Sequence, residues 1–120
     1  MYIQNANNVP GIASSHGEVV YELMGNAAGG SAAHSLAQIV LPPGKACLKH
    51  YHPVVEESYY ILSGAARMEI DGEATQLGPG DGVPVLPNQT HQIFNVGTTD
   101  LVFLAVCVPA WTPDNSVYLD

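Results

Sequence analysis

Short apolar runs alternate with turn residues along almost the whole chain. The runs are rich in Val, Ile, Leu and Tyr, and Gly or Pro interrupts them every few residues. A helix of ordinary length does not survive between such breaks, whereas a strand of about five or six residues does. The pattern predicts strands over 18–24, 35–41, 46–52, 58–62, 66–70, 74–77, 82–86, 91–95 and 100–108. Turn signals at 26–30, 42–44, 78–80, Asp71-Gly72 and Pro87-Asn88 separate them. Asp71-Gly72 in particular predicts a two-residue hairpin loop. Many short strands at near-regular spacing predict an all-β sandwich or barrel. The tail, 109–120, carries Trp111, Tyr118 and Leu119 and is expected to lie back on the barrel or on a partner chain.

At 120 residues and 12.7 kDa the chain is expected to form one domain, 1–120. Charged residues are 12% of it, against roughly 25% in an average chain. Three Lys and Arg face eleven Asp and Glu, for a net charge of −8. That balance argues against a nucleic-acid partner, which needs cations to replace phosphate counterions, and against an anionic membrane surface. No apolar stretch approaches the ~18 residues that span a bilayer. Two cysteines, Cys47 and Cys107, are too few for a disulfide scaffold. The first eight residues have no basic region followed by an apolar run, so a cytoplasmic protein with reduced thiols is expected. Low charge density on a small apolar chain points to surface covered by a partner, most simply a homodimer.

The chemistry concentrates in His50-Tyr51-His52. On a strand, residues i and i+2 share a face, so the two imidazoles are parallel neighbours. If Leu48 is in the core, both histidines also point inward. Buried imidazoles need partners, and a metal ion is one that suits them. Alone, the pair fits a half-exposed strand face without a ligand better. Glu56 and Glu57 open the next strand, and alternation turns one of them inward and the other to solvent. Glu57, Tyr59 and Ile61 share one face of that strand.

These residues resemble a family pattern. Gly44 is followed by five residues, then His50 and His52, then Glu57 after four more and Gly64 after another six. That order and spacing is similar to the first motif of the RmlC-like cupins, and it selects Glu57 over Glu56. Gly80, His91 and Asn95 match the second motif. Leu86 and Asn88 stand where that motif has Pro and Gly, although Pro87 follows Leu86 directly. Asn is the least costly non-glycine residue at positive φ, so the turn can survive. The motifs cover 44–64 and 80–95. The resemblance implies a double-stranded β-helix, or jelly-roll barrel, holding one divalent transition metal on His50, His52, Glu57 and His91. Three imidazoles and one carboxylate suit manganese or iron foremost, with nickel, cobalt, copper and zinc compatible. The lack of a Cys ligand disfavours a structural zinc site. Four ligands on an octahedral ion leave two positions open. That implies a metalloenzyme acting on a small oxygen-containing molecule, of dioxygenase, isomerase or lyase and decarboxylase type. The alternative is a cupin that binds or senses a metal and a small ligand without turnover.

Only Lys45, Lys49 and Arg67 could clamp an anion, and Lys49 is out of phase with the histidines. A nucleotide sugar or multiply phosphorylated substrate is therefore disfavoured. Tyr59 is the candidate catalytic residue: its hydroxyl could donate to a substrate oxygen, although a core aromatic is the competing role. By phase, Leu48 and Ile93 are expected to line the pocket, with Tyr51 and Cys47 outside it. Phe94 and Phe103 are expected in the core, Trp111 as a tail anchor and Asn95 as a turn cap. Gln38 could reach either the pocket or the surface, and His16 and His34 are expected in solvated loops.

Overall fold

The computed structural model describes residues 1–119 and contains the expected strands, with two additions. In chain order they are β1 (Ile12–Ala13), β2 (Val19–Met24), β3 (Ser35–Leu41), β4 (His50–Tyr51), β5 (Glu56–Ser63), β6 (Ala66–Ile70), β7 (Glu73–Leu77), β8 (Gly82–Val85), β9 (His91–Asn95), β10 (Leu101–Val108) and β11 (Val117–Tyr118). All pairings are antiparallel. One sheet runs β1-β2-β3-β10-β5-β8 and the other β11-β4-β9-β6-β7. This is the all-β architecture that the turn spacing predicted, in the jelly-roll form that the family resemblance implied.

Period-two burial explains the layering. Along β5 every second residue is buried, from Glu57 through Tyr59 to Ile61, and β9 and β10 alternate in the same way. The buried faces meet between the sheets: Leu41, Ile61, Val85, Leu101 and Phe103 from one, Ala66, Met68 and Ile93 from the other. Phe103 lies opposite Ile61 and Ile39 on its neighbouring strands and packs its ring 4.8 Å from that of Tyr59. Each fully buried side chain of this kind contributes about 1.5–3 kcal/mol.

The turns follow their residues. Asp71 and Gly72, at φ 49° and 84°, join β6 to β7 as the predicted two-residue hairpin. Asn88 takes the positive φ, 69°, expected of it, and its N–H donates to the His52 carbonyl at 2.7 Å. Asn95 caps the following turn as expected: its buried amide donates to the Leu41 and Thr99 carbonyls and accepts from Gly97 N–H.

Gly64 ends β5 at φ 95°, and a Cβ there would sit 2.8 Å from the Asp100 carbonyl oxygen and 2.9 Å from Leu101 Cα. Both neighbours are backbone and cannot swing aside. Gly64→Ala is therefore expected to lose about 1–3 kcal/mol of stability, read as a lower urea midpoint. Unchanged stability would show that the crossing from β5 to β6 is looser than drawn.

Two expectations fail. The strand expected over 46–52 shrinks to β4, because the chain at Ala46 makes only an isolated bridge to Phe94. Phe94 is not core: it is half-buried on the outer face of β9, with the Arg67 guanidinium 4.3 Å from its ring centroid. Phe103, by contrast, is fully buried as expected.

Candidate metal centre

Four side chains from two sheets converge at one end of the core. His50 on β4 pairs directly with His91 on β9, placing their rings 4.2 Å apart. His52 follows β4, and Glu57 enters from β5 of the other sheet. One donor atom from each lies within 4.8 Å of all the others. Alternation along β5 turns Glu57 inward and leaves Glu56 exposed.

Backbone carbonyls orient each imidazole. His50 Nδ1 is 2.8 Å from the Leu48 carbonyl oxygen, His91 Nδ1 is 3.0 Å from that of Gln89, and His52 Nδ1 is 3.0 Å from that of Asn115. A carbonyl only accepts, so each Nδ1 carries its proton and donates. Each Nε2 is thereby turned to the centre, the orientation metal-binding histidines use. Glu57 Oε1 lies 3.3 Å from His52 Nε2 and 3.4 Å from His91 Nε2.

The electrostatics suit a cation. Burial opposes the Glu57 carboxylate, but the neighbouring His52 and His91 imidazoles overcome it and hold the group well below the usual carboxylate range. Burial, reinforced by His91 and His52, pushes His50 down to about 4. Burial disfavours charged His52 as well, but the Glu57 hydrogen bond and charge and the Asn115 carbonyl outweigh it and raise that imidazole. His91 Nε2 is buried without a hydrogen-bond partner among the described residues. Such an atom costs about 1–3 kcal/mol unless something else satisfies it. A divalent ion among the four donors would do so, and the donor set fits one first-row transition metal.

Beside the centre opens a cavity of about 240 Å³. Its walls are mostly apolar, with Ile12, Val20, Met24, Leu36, Ile39, Ala105 and Trp111 among them. Three carboxylates line it, Glu18, Glu22 and Glu57, and among the described residues no Lys or Arg does. Tyr59 also lines it; burial, then the Glu57 charge, raises its hydroxyl well above the ordinary range, so it remains a donor.

Several side chains lie elsewhere than their phase in the sequence implied. Cys47 was expected outside the pocket, yet it is buried and lines the cavity. The break before β4 is the reason, since alternation counted back from His50 does not cross it. Leu48 lines the cavity as expected but sits at its rim, 38% exposed. His16, expected in solvent, is in the cavity wall with Nδ1 2.5 Å from Glu18 Oε1. Gln38 does not line the cavity among the described residues, whereas its neighbours Ala37 and Ile39 do. His34 bonds locally to Ser31.

The tail was expected to fold back, and it does so onto the histidines of the candidate centre. Trp111 is anchored through its N–H to Ser35 Oγ and its Nε1–H to Ser116 Oγ. Ser116 Oγ is also 3.2 Å from His52 Nδ1, and Tyr118 lies against the His50 ring. These contacts join residues more than sixty positions apart, and no local sequence signal announces them. Removing residues 111–120 would leave His52 Nδ1 without its carbonyl. Metal affinity is then expected to fall roughly 10–100-fold, measured by competition with a chromogenic chelator. Unchanged affinity would mean that the tail has no part in orienting His52.

Comparison with known proteins agrees with this geometry. The family model described as Cupin domain matches residues 37–107. An uncharacterized protein of Methanocaldococcus jannaschii is 34% identical over 72% of this chain and 69% of its own length. A Thermotoga maritima protein named oxalate-binding protein is 37% identical over 63% of each. The crystal structure of a predicted oxalate decarboxylase from Thermotoga maritima superposes with a TM-score of 0.81 at 28% identity, covering 91% of this chain and 99% of that one.

Proposed function

From the premise that the chain belongs to the cupin family, we propose that it is a metalloenzyme acting on a small, largely apolar, weakly charged oxygen-containing molecule. The reaction types that fit are oxygenation, isomerisation and lyase or decarboxylase chemistry. The observation that carries this reading is the buried His91 Nε2, unpartnered among the described residues, which shares its centre with His50, His52 and Glu57 beside an apolar cavity.

When bound, a manganese, iron or similar ion supplies Lewis acidity, and for the redox-active metals electron transfer. The chain's own groups do the rest. His50, His52, Glu57 and His91 would hold the ion, and the apolar walls would exclude water from the reacting centre. Tyr59 is the residue proposed to donate its hydroxyl hydrogen to a substrate oxygen.

A second reading, binding without turnover, draws support from the relative named as an oxalate-binding protein. The cavity favours a different ligand, because beyond the ion itself a dicarboxylate would meet three carboxylates and, among the described residues, no Lys or Arg to clamp it. The test is to incubate metal-loaded protein with oxalate and with neutral hydroxyketones and diketones, following product by chromatography. Conversion of a neutral compound that depends on the metal is expected. Recovery of every compound unaltered, with one of them bound, would establish the binding reading instead.

The same proposal includes a homodimer. Tyr60, Leu62, Val106 and Val108 are exposed on the adjacent strands β5 and β10, an apolar stripe that a second copy would cover. Light scattering is expected to give twice the chain mass; the mass of one chain would remove the claim.

A further inference from the structure

In the wall of the same cavity, the turn between β1 and β2 builds a second polar cluster. The Ser14 N–H donates to the Glu18 carbonyl at 2.9 Å and closes the turn. Gly17, at φ 118° with the Lys45 stem packed against it, reverses the chain between His16 and Glu18. Both side chains consequently reach the cavity wall. Glu18 is 8% exposed, and its Oε1 accepts from the Ser14 hydroxyl and lies 2.5 Å from His16 Nδ1. Burial opposes its charge, but hydrogen bonds from Cys47, Ser14 and His16 hold the carboxyl below its usual range. A carboxylate in this position keeps the His16 proton on Nδ1 and stabilises the ring when it becomes cationic. No hydrogen bond of the described residues engages His16 Nε2, and the side chain is 31% exposed. Cys47 links the two clusters: its thiol hydrogen-bonds Glu18 and senses the charge of Glu57.

Resting on the metal-centre reading above, we infer that His16, backed by Glu18, is the proton acceptor for a neutral hydroxyl-bearing ligand entering that centre. The ligand class is an enol or hydroxyketone. Its O–H bond breaks and leaves the electron pair on oxygen, while a new N–H bond forms at Nε2. The imidazole becomes an imidazolium beside the Glu18 carboxylate. No other reactant is required. A cavity with no Lys or Arg among its described walls would thereby accommodate a ligand that arrives neutral: the cation that balances the deprotonated ligand is made on His16 inside the site.

The test uses cobalt-loaded protein and maltol, a neutral hydroxyketone. The visible spectrum reports arrival at the metal, and calorimetry in buffers of different ionisation heat counts protons exchanged with solvent. The wild type is expected to bind maltol and release little proton to the buffer. The His16→Gln variant, brought to saturation with maltol as judged by its spectrum, is expected to release close to a full proton more per bound maltol. Glu18→Gln, uncharged but similar in shape, should also release more than the wild type. Equal proton counts in wild type and His16→Gln, with the spectral change intact, would overturn the role of His16 and leave the metal-centre reading standing. Full proton retention in Glu18→Gln would overturn the part given to the carboxylate. No spectral response to maltol in the wild type would overturn the chelation reading and this inference with it.

Discussion

Glu57→Gln is expected to weaken metal binding by more than about 100-fold, since loss of a mere outer partner of a ligand already costs roughly 10–100-fold. Glu57 is the only anion in the donor set, and it sits 3.3 Å and 3.4 Å from the Nε2 atoms of His52 and His91. The amide keeps the shape of the side chain but removes the charge that offsets the ion's own. Competition against a chromogenic chelator measures the loss, and far-UV circular dichroism checks that the fold persists. The same change appears in stability. Metal at about 100 times its dissociation constant adds ~2.7 kcal/mol to the wild type by mass action. Glu57→Gln should gain almost none of this at the same concentration. Equal affinity in the two proteins would place the ion, if it binds, somewhere else.

Phe103→Ala is expected to lose about 3–5 kcal/mol, the range for truncating a buried aromatic. Phe103 is fully buried on β10, lies opposite Ile61 and Ile39 on both flanking strands, and packs its ring at a tilt against Tyr59. A cavity there opens next to Tyr59 and on the same strand face as Glu57, so the metal centre would loosen as well. Urea denaturation of metal-free protein isolates the packing loss from the metal's contribution. A loss under about 1 kcal/mol would mean that the two sheets close over the gap.

Much of the architecture is legible in the chain because its causes are local. Alternation in β5, β9 and β10 requires only a continuous strand with one buried face, and the hydrophobic positions record it directly. Asp71-Gly72 and Asn88 are legible because positive φ restricts the residue types that can stand there. The four metal-centre residues are legible for a combined reason. Spacing puts His50 and His52 on one face, alternation turns one of two glutamates inward, and the family resemblance adds His91 and selects Glu57.

What could not be read depends on interruption or on distance along the chain. Cys47 lies on the wrong side of a break that no residue announces, so phase counted from His50 misplaced it. His16 looked like a loop residue, and it is one, but the loop is folded over the cavity by a turn closed between Ser14 and Glu18. The hold of Asn115 and Ser116 on His52 joins the end of the chain to its middle, and sequence pattern has no access to such a contact. Phe94 was assigned to the core by its apolarity alone. Its phase, opposite to that of His91 and Ile93, places it outside, where Arg67 covers it.

The central claim is that His50, His52, Glu57 and His91 together bind one transition-metal ion. Elemental analysis of protein purified without chelator, beside a His91→Ala variant prepared identically, tests it most directly. Near-stoichiometric manganese, iron or a related metal in the wild type, lost in the variant, is the predicted result. Iron, nickel or copper would direct the assays toward oxygen chemistry, and manganese would keep isomerase and lyase chemistry equally open. No metal in the wild type after reconstitution with several ions, or the same metal content in His91→Ala, would contradict the account.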